Sequence, residues 1–238
     1  MSTDDIEYIS SVDNNIHETS IIGPDVIMGT GNVIGPGAII IGPCEIGNDN
    51  WIGPNAVVGT PGEYADQRHG DFWNTGSFGF ISIGSGNTIR EFVTIQVSPN
   101  TKTTIGNNCY FMTKSHIPHD ANIEDDVKVA CSALIGGFGH IGRGAYIGLG
   151  AIIHQRIFIG PGAMVGMGSV VTRNVPPLAK FFGSPAKLMG FNEIKAKPFG
   201  FTDKDVSIFT DAYISGQLPD PKNVSQVAAS MLNEFTIK

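Results

Sequence analysis

An aliphatic residue recurs at every sixth position along most of this chain, and this period limits the folds open to it. The register runs without a slip from Ile105 to Val171, and it also holds in two shorter runs nearer the N-terminus. Typical units are IGPGAI from Ile34, IGRGAY from Ile141 and IGLGAI from Ile147. Glycine and proline at this density exclude an α-helix. A collagen-like or disordered chain is also excluded, because the period is six and the aliphatic positions are fixed.

Each six-residue unit, or hexad, combines an inward aliphatic residue, a turn and a small inward residue, which suits one flat side of a three-sided coil. Three hexads then make one coil, and successive coils stack at the strand spacing of about 4.8 Å. The unit resembles that of the left-handed hexapeptide β-helix proteins over roughly residues 16–176. We therefore expect an all-β fold, a left-handed parallel β-helix.

Two interruptions and a loss of the repeat divide the chain further. The register stops at residues 59–80 and at residues 97–104 and then resumes, so both segments are predicted excursions out of the coil. Residues 1–15 form an N-terminal segment, and residues 16–177 form the β-helix. Residues 178–238 are predicted to be a linker and a small C-terminal α-helical appendage, with helices over 203–215 and 223–234.

Charge and composition narrow the possible partners. The net charge of −7 argues against non-specific binding of nucleic acid. The segment from Arg143 to Lys197 nevertheless has seven basic residues and one acidic residue, so an anionic partner is expected there. The acidic start lacks the features of a signal peptide, and no apolar run is long enough to span a bilayer. Three cysteines without CxxC spacing also suit a reducing compartment, so we expect a cytoplasmic protein with no membrane span.

Stacked coils place residues i and i+18 above one another, which predicts spatial neighbours. His119, Gly137 and Gln155 fall in one column at the third, outward position of their hexads. A surface histidine without a role remains the alternative interpretation. Gly137, however, has no side chain, so its backbone N–H is accessible to a reacting carbonyl beside His119. A base next to an N–H donor is an arrangement suited to acyl transfer.

A second outward column is apolar, and a third looks like ordinary solvated surface. The apolar column contains Thr113, Cys131, Leu149 and Met167, and it is predicted to line either an acyl chain or a subunit interface. The third column contains Asp125, Arg143 and Pro161.

Four segments carry a more specific resemblance: IREFVTI at 89–95, SHIPHDANI at 115–123, IIHQ at 152–155 and NVPP at 174–177. Together they resemble the acyl-carrier-protein-dependent UDP-N-acetylglucosamine O-acyltransferases of lipid A biosynthesis, over nearly the whole chain. The resemblance implies that His119 is the general base, that Asp120 orients it and that His116 assists. It also implies that the N–H of Gly137 stabilises the oxyanion.

The same resemblance implies the substrates and the assembly. The expected reaction moves an acyl group from an acyl-carrier-protein thioester to a hydroxyl of a nucleotide sugar, in a homotrimer with sites at the subunit clefts. No bound cofactor and no metal ion are expected. Met167 aligns with the position that limits acyl chain length in the family, so we expect a short or medium acyl group. The predicted substrate-binding residues are Asp66, Arg68, Gln155, Asn192 and Met167.

Departures from the family pattern leave the substrates open. Phe138 stands where the family has a histidine, and Pro198-Phe199 stands where it has a basic pair. The acceptor can therefore differ from UDP-N-acetylglucosamine, and an amine is a possible attacking group. The FGSPAK segment at 182–187 resembles coenzyme-A-using acetyltransferases, which makes acyl coenzyme A an alternative donor.

Two further alternatives have the same fold. One is a coenzyme-A-dependent acetyltransferase acting on another acceptor. The other is a γ-carbonic-anhydrase-like zinc enzyme, which requires converging histidine ligands. The stacking arithmetic disfavours it, because no two of His116, His140 and His154 lie 18 residues apart. A non-catalytic scaffold is the remaining possibility.

Overall fold

A computed structural model describes residues 8–11, 13–63, 79–98 and 101–237 of the 238-residue chain. Its strands form three sheets, which are the three faces of a parallel β-solenoid of about eight turns. From β2 to β25, strands pair in parallel with the strand one coil away, and the usual separation is 18 residues, as between Asn122 and His140. The pairs at the two ends, β1 with β2 and β25 with β26, are antiparallel. This architecture confirms the predicted left-handed β-helix with a small helical C-terminal part.

The strands fall on three faces, named here sheets A, B and C. Sheet A has eleven described strands: β1 (Tyr8–Ser11), β2 (Asn14–His17), β5 (Val33–Ile34), β8 (Trp51–Ile52), β11 (Thr88–Ile89), β14 (Tyr110–Phe111), β17 (Lys128–Val129), β20 (Tyr146–Ile147), β23 (Met164–Val165), β25 (Ala179–Gly183) and β26 (Ala186–Phe191). Sheet B has eight: β3 (Ile21–Ile22), β6 (Ile39–Ile40), β9 (Val57–Pro61), β12 (Thr94–Val97), β15 (His116–Ile117), β18 (Leu134–Ile135), β21 (Ile152–Ile153) and β24 (Val170–Val171). Sheet C has seven: β4 (Val26–Met28), β7 (Cys44–Ile46), β10 (Ile81–Ile83), β13 (Thr103–Ile105), β16 (Asn122–Ile123), β19 (His140–Ile141) and β22 (Phe158–Ile159).

The first and fifth residues of each hexad build the core, as the repeat predicts. Ile34, Ala38, Ile52 and Ala56 are fully buried, and the same pairing of large and small residues continues along the coils. Burial of these aliphatic side chains is the main stabilising contribution, at about 25 cal/mol per Å² of apolar surface. The core therefore fixes which residues point outward.

A ladder of asparagines provides the polar part of the interior. The side-chain amide of Asn32 donates to Asn14 Oδ1 (3.0 Å), that of Asn50 donates to Asn32 Oδ1 (2.9 Å), and that of Asn87 donates to Asn50 Oδ1 (3.0 Å). Because each buried amide has a partner, the ladder avoids the cost of an unsatisfied polar group.

The fourth residue of many hexads has the left-handed backbone conformation that turns the chain at a corner. Asp120, Phe138 and Arg156 have φ of 57°, 59° and 62°. Glycine, asparagine and aspartate adopt this conformation most easily, but Phe92, Lys114 and Leu178 adopt it as well in this chain.

The C-terminal region differs in part from the prediction. Residues that the sequence predicts as a linker form the hairpin of β25 and β26, and β25 extends sheet A beyond β23. The helices are α1 (Glu193–Ala196), α2 (Asp203–Ile214) and α3 (Gln226–Ile237), with 3-10 turns at Lys197–Phe199 and Pro221–Asn223. Helix α2 begins at the predicted residue and is capped by Thr202, whereas α3 begins three residues later than predicted, after the second 3-10 turn.

Aromatic packing joins this helical region to the end of the coil. Phe191 contacts both Phe209 and Tyr213, with ring centroids 5.3 and 5.9 Å away, and the Tyr213 hydroxyl donates to Pro177 O (2.7 Å). Among the described residues, the helices are too short or too polar to cross a bilayer.

Candidate active site

Both excursions start and end at the same corner of the solenoid, between sheets B and C. The chain leaves sheet B after β9 and after β12, and each time it returns in sheet C, at β10 and β13. Residues paired across the excursions are therefore 37 and 22 positions apart instead of 18, as in the hydrogen bonds of Asn87 to Asn50 and of Cys109 to Asn87. The hexad register is the same before and after each excursion. His119 lies at this corner too, between β15 and β16.

His119 and Asp120 form a hydrogen-bonded pair. His119 Nδ1 lies 2.8 Å from Asp120 Oδ2, and the two side chains are 14% and 1% exposed. A carboxylate that accepts a hydrogen bond from Nδ1–H fixes the ring and leaves the basic lone pair at Nε2. The pair is therefore suited to general-base chemistry at Nε2.

Two hydroxyl groups from the second excursion hold Asp120. Ser98 Oγ donates to Asp120 Oδ1 at 2.5 Å, and Thr101 Oγ1 donates to the same oxygen. Burial alone raises the pKa of the Asp120 carboxyl, but the hydrogen bonds from Ser98, Thr101 and His119 outweigh it and lower the pKa below its ordinary 3.8. The hexad repeat does not predict the contacts of Ser98 and Thr101 with Asp120, because their approach depends on the path of the excursion.

Gly137 packs directly against His119, one coil further on. A Cβ atom on Gly137 would lie 2.6 Å from His119 Nε2 and 2.5 Å from Cε1. Equivalent hexad positions carry prolines, such as Pro36, Pro54 and Pro161, so the coil does not need this N–H for its own hydrogen bonds. Within the described residues, the Gly137 N–H has no acceptor. The backbone of Gly137, whose N–H is unused by the coil, thus lies beside the basic nitrogen, as the column arithmetic predicts.

His116 lies on the same side of the coil, in β15. Its Nδ1 is 2.7 Å from Thr94 Oγ1. Burial lowers the pKa of His116, and the charge of His119 adds to this effect, whereas Glu63 opposes it. His116 is therefore held as a neutral imidazole near His119, which suits the predicted assisting role.

Phe138 replaces the histidine that the family pattern has at this place. Its ring meets the His119 ring edge-on, with centroids 5.3 Å apart and planes at 87°. This contact restricts the imidazole from a second side but adds no proton-transfer group.

The predicted substrate-binding residues lie in different places. Gln155 is exposed in the same column as His119, whereas Met167 is 76% exposed at the corner between sheets A and B. Asn192 is buried, and its side-chain amide donates to Gly162 O at 2.9 Å, so within one chain it has a structural contact away from His119. Asp66 and Arg68 lie outside the described residues. Roles of these residues in substrate binding stay predictions.

The third column is more than a solvated surface. The guanidinium of Arg143 lies 4.7 Å from the ring centroid of Phe199. Together with Lys128, Lys195 and Asp126 these residues line a cavity of about 250 Å³ between the coil and α1. Two of the seven basic residues of the segment 143–197, Arg143 and Lys195, thus line one cavity.

No protein-family model matches the chain. Among curated relatives, the acyl-(acyl carrier protein)–UDP-N-acetylglucosamine O-acyltransferase of Thermodesulfovibrio yellowstonii is 35% identical over 221 residues, which are 84% of this chain and 83% of the relative. The enzyme of the same name from Gloeothece citriformis is 35% identical over 177 residues, 74% of this chain. The match spans 62% of that relative's length.

Solved structures that resemble this chain belong to enzymes with corresponding names. LpxA of Acinetobacter baumannii superposes with a TM-score of 0.74 at 25% identity, and the match covers 91% of each chain. The UDP-N-acetylglucosamine acyltransferase of Arabidopsis gives a TM-score of 0.67 at 28% identity over 86% of this chain and 82% of that one. These similarities support the acyltransferase hypothesis rather than the zinc-enzyme alternative. The chain belongs to the family of the acyl-carrier-protein-dependent UDP-N-acetylglucosamine O-acyltransferases.

Proposed function

We propose that the protein transfers an acyl group from a thioester to a hydroxyl of a nucleotide-linked sugar. One observation carries the proposal: His119 is held through Nδ1 by Asp120, and its Nε2 lies beside the backbone of Gly137. A base and an oxyanion donor are the two groups that acyl transfer from a thioester requires.

The reaction follows from this geometry. His119 Nε2 takes the proton of the acceptor hydroxyl as its oxygen attacks the thioester carbonyl. The carbonyl oxygen becomes an oxyanion, which the Gly137 N–H stabilises. The tetrahedral intermediate then collapses, the carbon–sulfur bond breaks, and the thiolate takes the proton from His119. The products are the O-acyl sugar nucleotide and the free thiol of the donor.

Asp120 has a positioning role in this proposal. Its lowered pKa keeps it ionised across the neutral range, so it holds the Nδ1–H tautomer and stabilises the imidazolium that forms during transfer. His116 stays neutral in the protein, which suits a hydrogen-bonding partner for substrate rather than a second fixed cation.

UDP-N-acetylglucosamine and an acyl-carrier-protein thioester, named in the relatives, are the first acceptor and donor to test. Acyl coenzyme A is the second donor, because both donors present a thioester on a phosphopantetheine arm. We also propose a homotrimer with the site at the cleft between subunits. Leu134, Leu149, Ile152 and Met167 support this assembly, since all four are exposed apolar side chains on neighbouring coils.

The test is an assay of purified protein with UDP-N-acetylglucosamine and a series of acyl-carrier-protein and acyl-coenzyme-A thioesters. Mass spectrometry should detect the sugar nucleotide with one added acyl group. His17→Ala is the control variant, because His17 lies in the first described coil, far along the solenoid from His119. Thioester hydrolysis without an acylated sugar nucleotide, across all donors, would overturn the proposal.

A further inference from the structure

We propose that Arg156 is a specificity-determining residue that binds a phosphate group of one substrate beside His119. This inference rests on the proposed function, since it assigns a ligand group to the same site. The relatives' names do not assign it, and it depends on the contact of Arg156 with Phe138, a residue at which this chain departs from the family pattern.

Arg156 is next to the reaction centre because of the coil register. It occupies the fourth hexad position one coil beyond Phe138 and two coils beyond Asp120. Its backbone N–H donates to Gly137 O at 2.9 Å, and the N–H of Phe138 donates to His119 O at 3.2 Å. Arg156 therefore stacks on Phe138, and its backbone bonds directly to Gly137, the residue that supplies the proposed oxyanion donor.

The aromatic ring fixes the direction of the guanidinium. The Arg156 Cζ atom lies 4.1 Å from the Phe138 ring centroid, and the same ring meets His119 edge-on. A guanidinium stacked on a ring has its plane fixed and keeps its N–H donors in that plane. The ring thus links the position of the base to the position of the cation.

The ligand chemistry follows from charge. Among the described residues, Arg156 makes no ion pair. Asp120, in the same column, already accepts hydrogen bonds from Ser98, Thr101 and His119. A fixed, planar cation on a chain of net charge −7 is suited to a bidentate contact with phosphate oxygens. In the proposed reaction such oxygens come from the diphosphate of the acceptor or from the phosphopantetheine arm of the donor.

The experiment uses two matched pairs of probes, UDP with uridine and 4′-phosphopantetheine with pantetheine, titrated by calorimetry into the full chain. Wild-type protein should prefer the phosphorylated member of at least one pair. Arg156→Gln should reduce that preference about 10- to 100-fold, the value of a charged hydrogen-bonding contact. The pair that responds identifies the substrate that carries the phosphate.

Two variants serve as controls. Arg156→Lys keeps the charge but loses the planar fork, so its preference should be intermediate. Arg90→Gln removes an arginine that also lies over an aromatic ring, that of Trp51, outside the basic segment 143–197, and should retain the wild-type preference. Melting curves check that each variant folds.

Wild-type protein with no preference in either pair would overturn the inference, and so would Arg156→Gln with the full wild-type preference in both. The proposed function fails separately. An Arg156-dependent phosphate preference in a protein that acylates no nucleotide sugar would contradict the reaction and leave this site in place.

Discussion

The Cβ atom that Gly137 lacks would lie 2.6 Å from Nε2 of His119. No side chain fits there unless the imidazole moves, and displacement by about 1 Å costs about 10²-fold in rate. Gly137→Ala should therefore lower kcat about 10²-fold while the N–H of residue 137 remains. Steady-state kinetics on the acyl-transfer assay measures this effect.

Gly216→Ala is the control for this substitution, because Gly216 has φ of 71° and open space around its Cβ position. It should lose some stability and keep its activity. A Gly137→Ala enzyme with wild-type kcat would show that His119 does not need its observed position.

Ser98 gives a pH-dependent prediction. The pKa of Asp120 is lowered in the folded protein, so the unfolded chain takes up this proton first and the folded state loses stability as pH falls below about 3.8. Ser98→Ala removes one of the hydrogen bonds that lower the pKa of Asp120. The variant should therefore lose less of its unfolding free energy than the wild-type protein over the same pH range. Denaturant titrations at pH 7, 4.5 and 3 measure the difference. Equal pH dependence in the two proteins would contradict the assigned role of Ser98.

The hexad repeat predicted the β-helix and the pairing of His119 with Gly137, because a solenoid fixes spatial neighbours by counting. It did not predict Ser98 and Thr101. Their contacts with Asp120 span 22 and 19 residues, and these separations depend on how far the second excursion travels before it returns. The available signal was the presence of two hydroxyl residues, Ser98 and Thr101, within the second excursion.

The hairpin of β25 and β26 was missed for a related reason. Lys180 pairs with Met164, which is 16 residues earlier, so the strand joins sheet A outside the hexad count. The buried position of Asn192 follows from this hairpin, because β26 ends just before it and its amide then meets Gly162. Side-chain environments after residue 177 depend on packing that has no sequence period.

The apolar surface predicts the assembly state. Leu134 and Ile152 pair across sheet B, and Leu149 precedes Ile152 by three residues, so their exposed side chains form one patch. Light scattering should give three times the chain mass of 25.3 kDa. Leu149→Glu should shift the protein towards monomer, because a charge at an apolar interface is costly to bury.

Ile214→Glu is the matched control, since Ile214 is an exposed aliphatic residue at the end of α2, away from this patch. It should remain trimeric. Wild-type protein that is monomeric at micromolar concentration would refute the trimer.

Met167 predicts the acyl chain length. The exposed Met167 side chain is expected to block the groove along the coils in which the acyl chain would bind. Met167→Gly should lengthen that groove. Each additional buried methylene contributes about 0.8 kcal/mol, so the preference for longer donors should rise about fourfold per carbon until the groove ends. Competition assays with a series of acyl donors measure the profile, with Met189→Gly as an exposed methionine control. An unchanged profile in intact trimers would exclude Met167 as the length-determining residue.

The role of His119 as general base is the central claim, and turnover of His119→Ala tests it most directly. General-base catalysis contributes about 10²- to 10⁴-fold, so kcat should fall by that factor with nucleotide sugar and acyl thioester. Melting temperature and oligomeric state should stay close to wild type, because the side chain lies at an outer corner of the coil. His17→Ala should keep full activity. A folded His119→Ala protein with near-normal turnover would contradict the account.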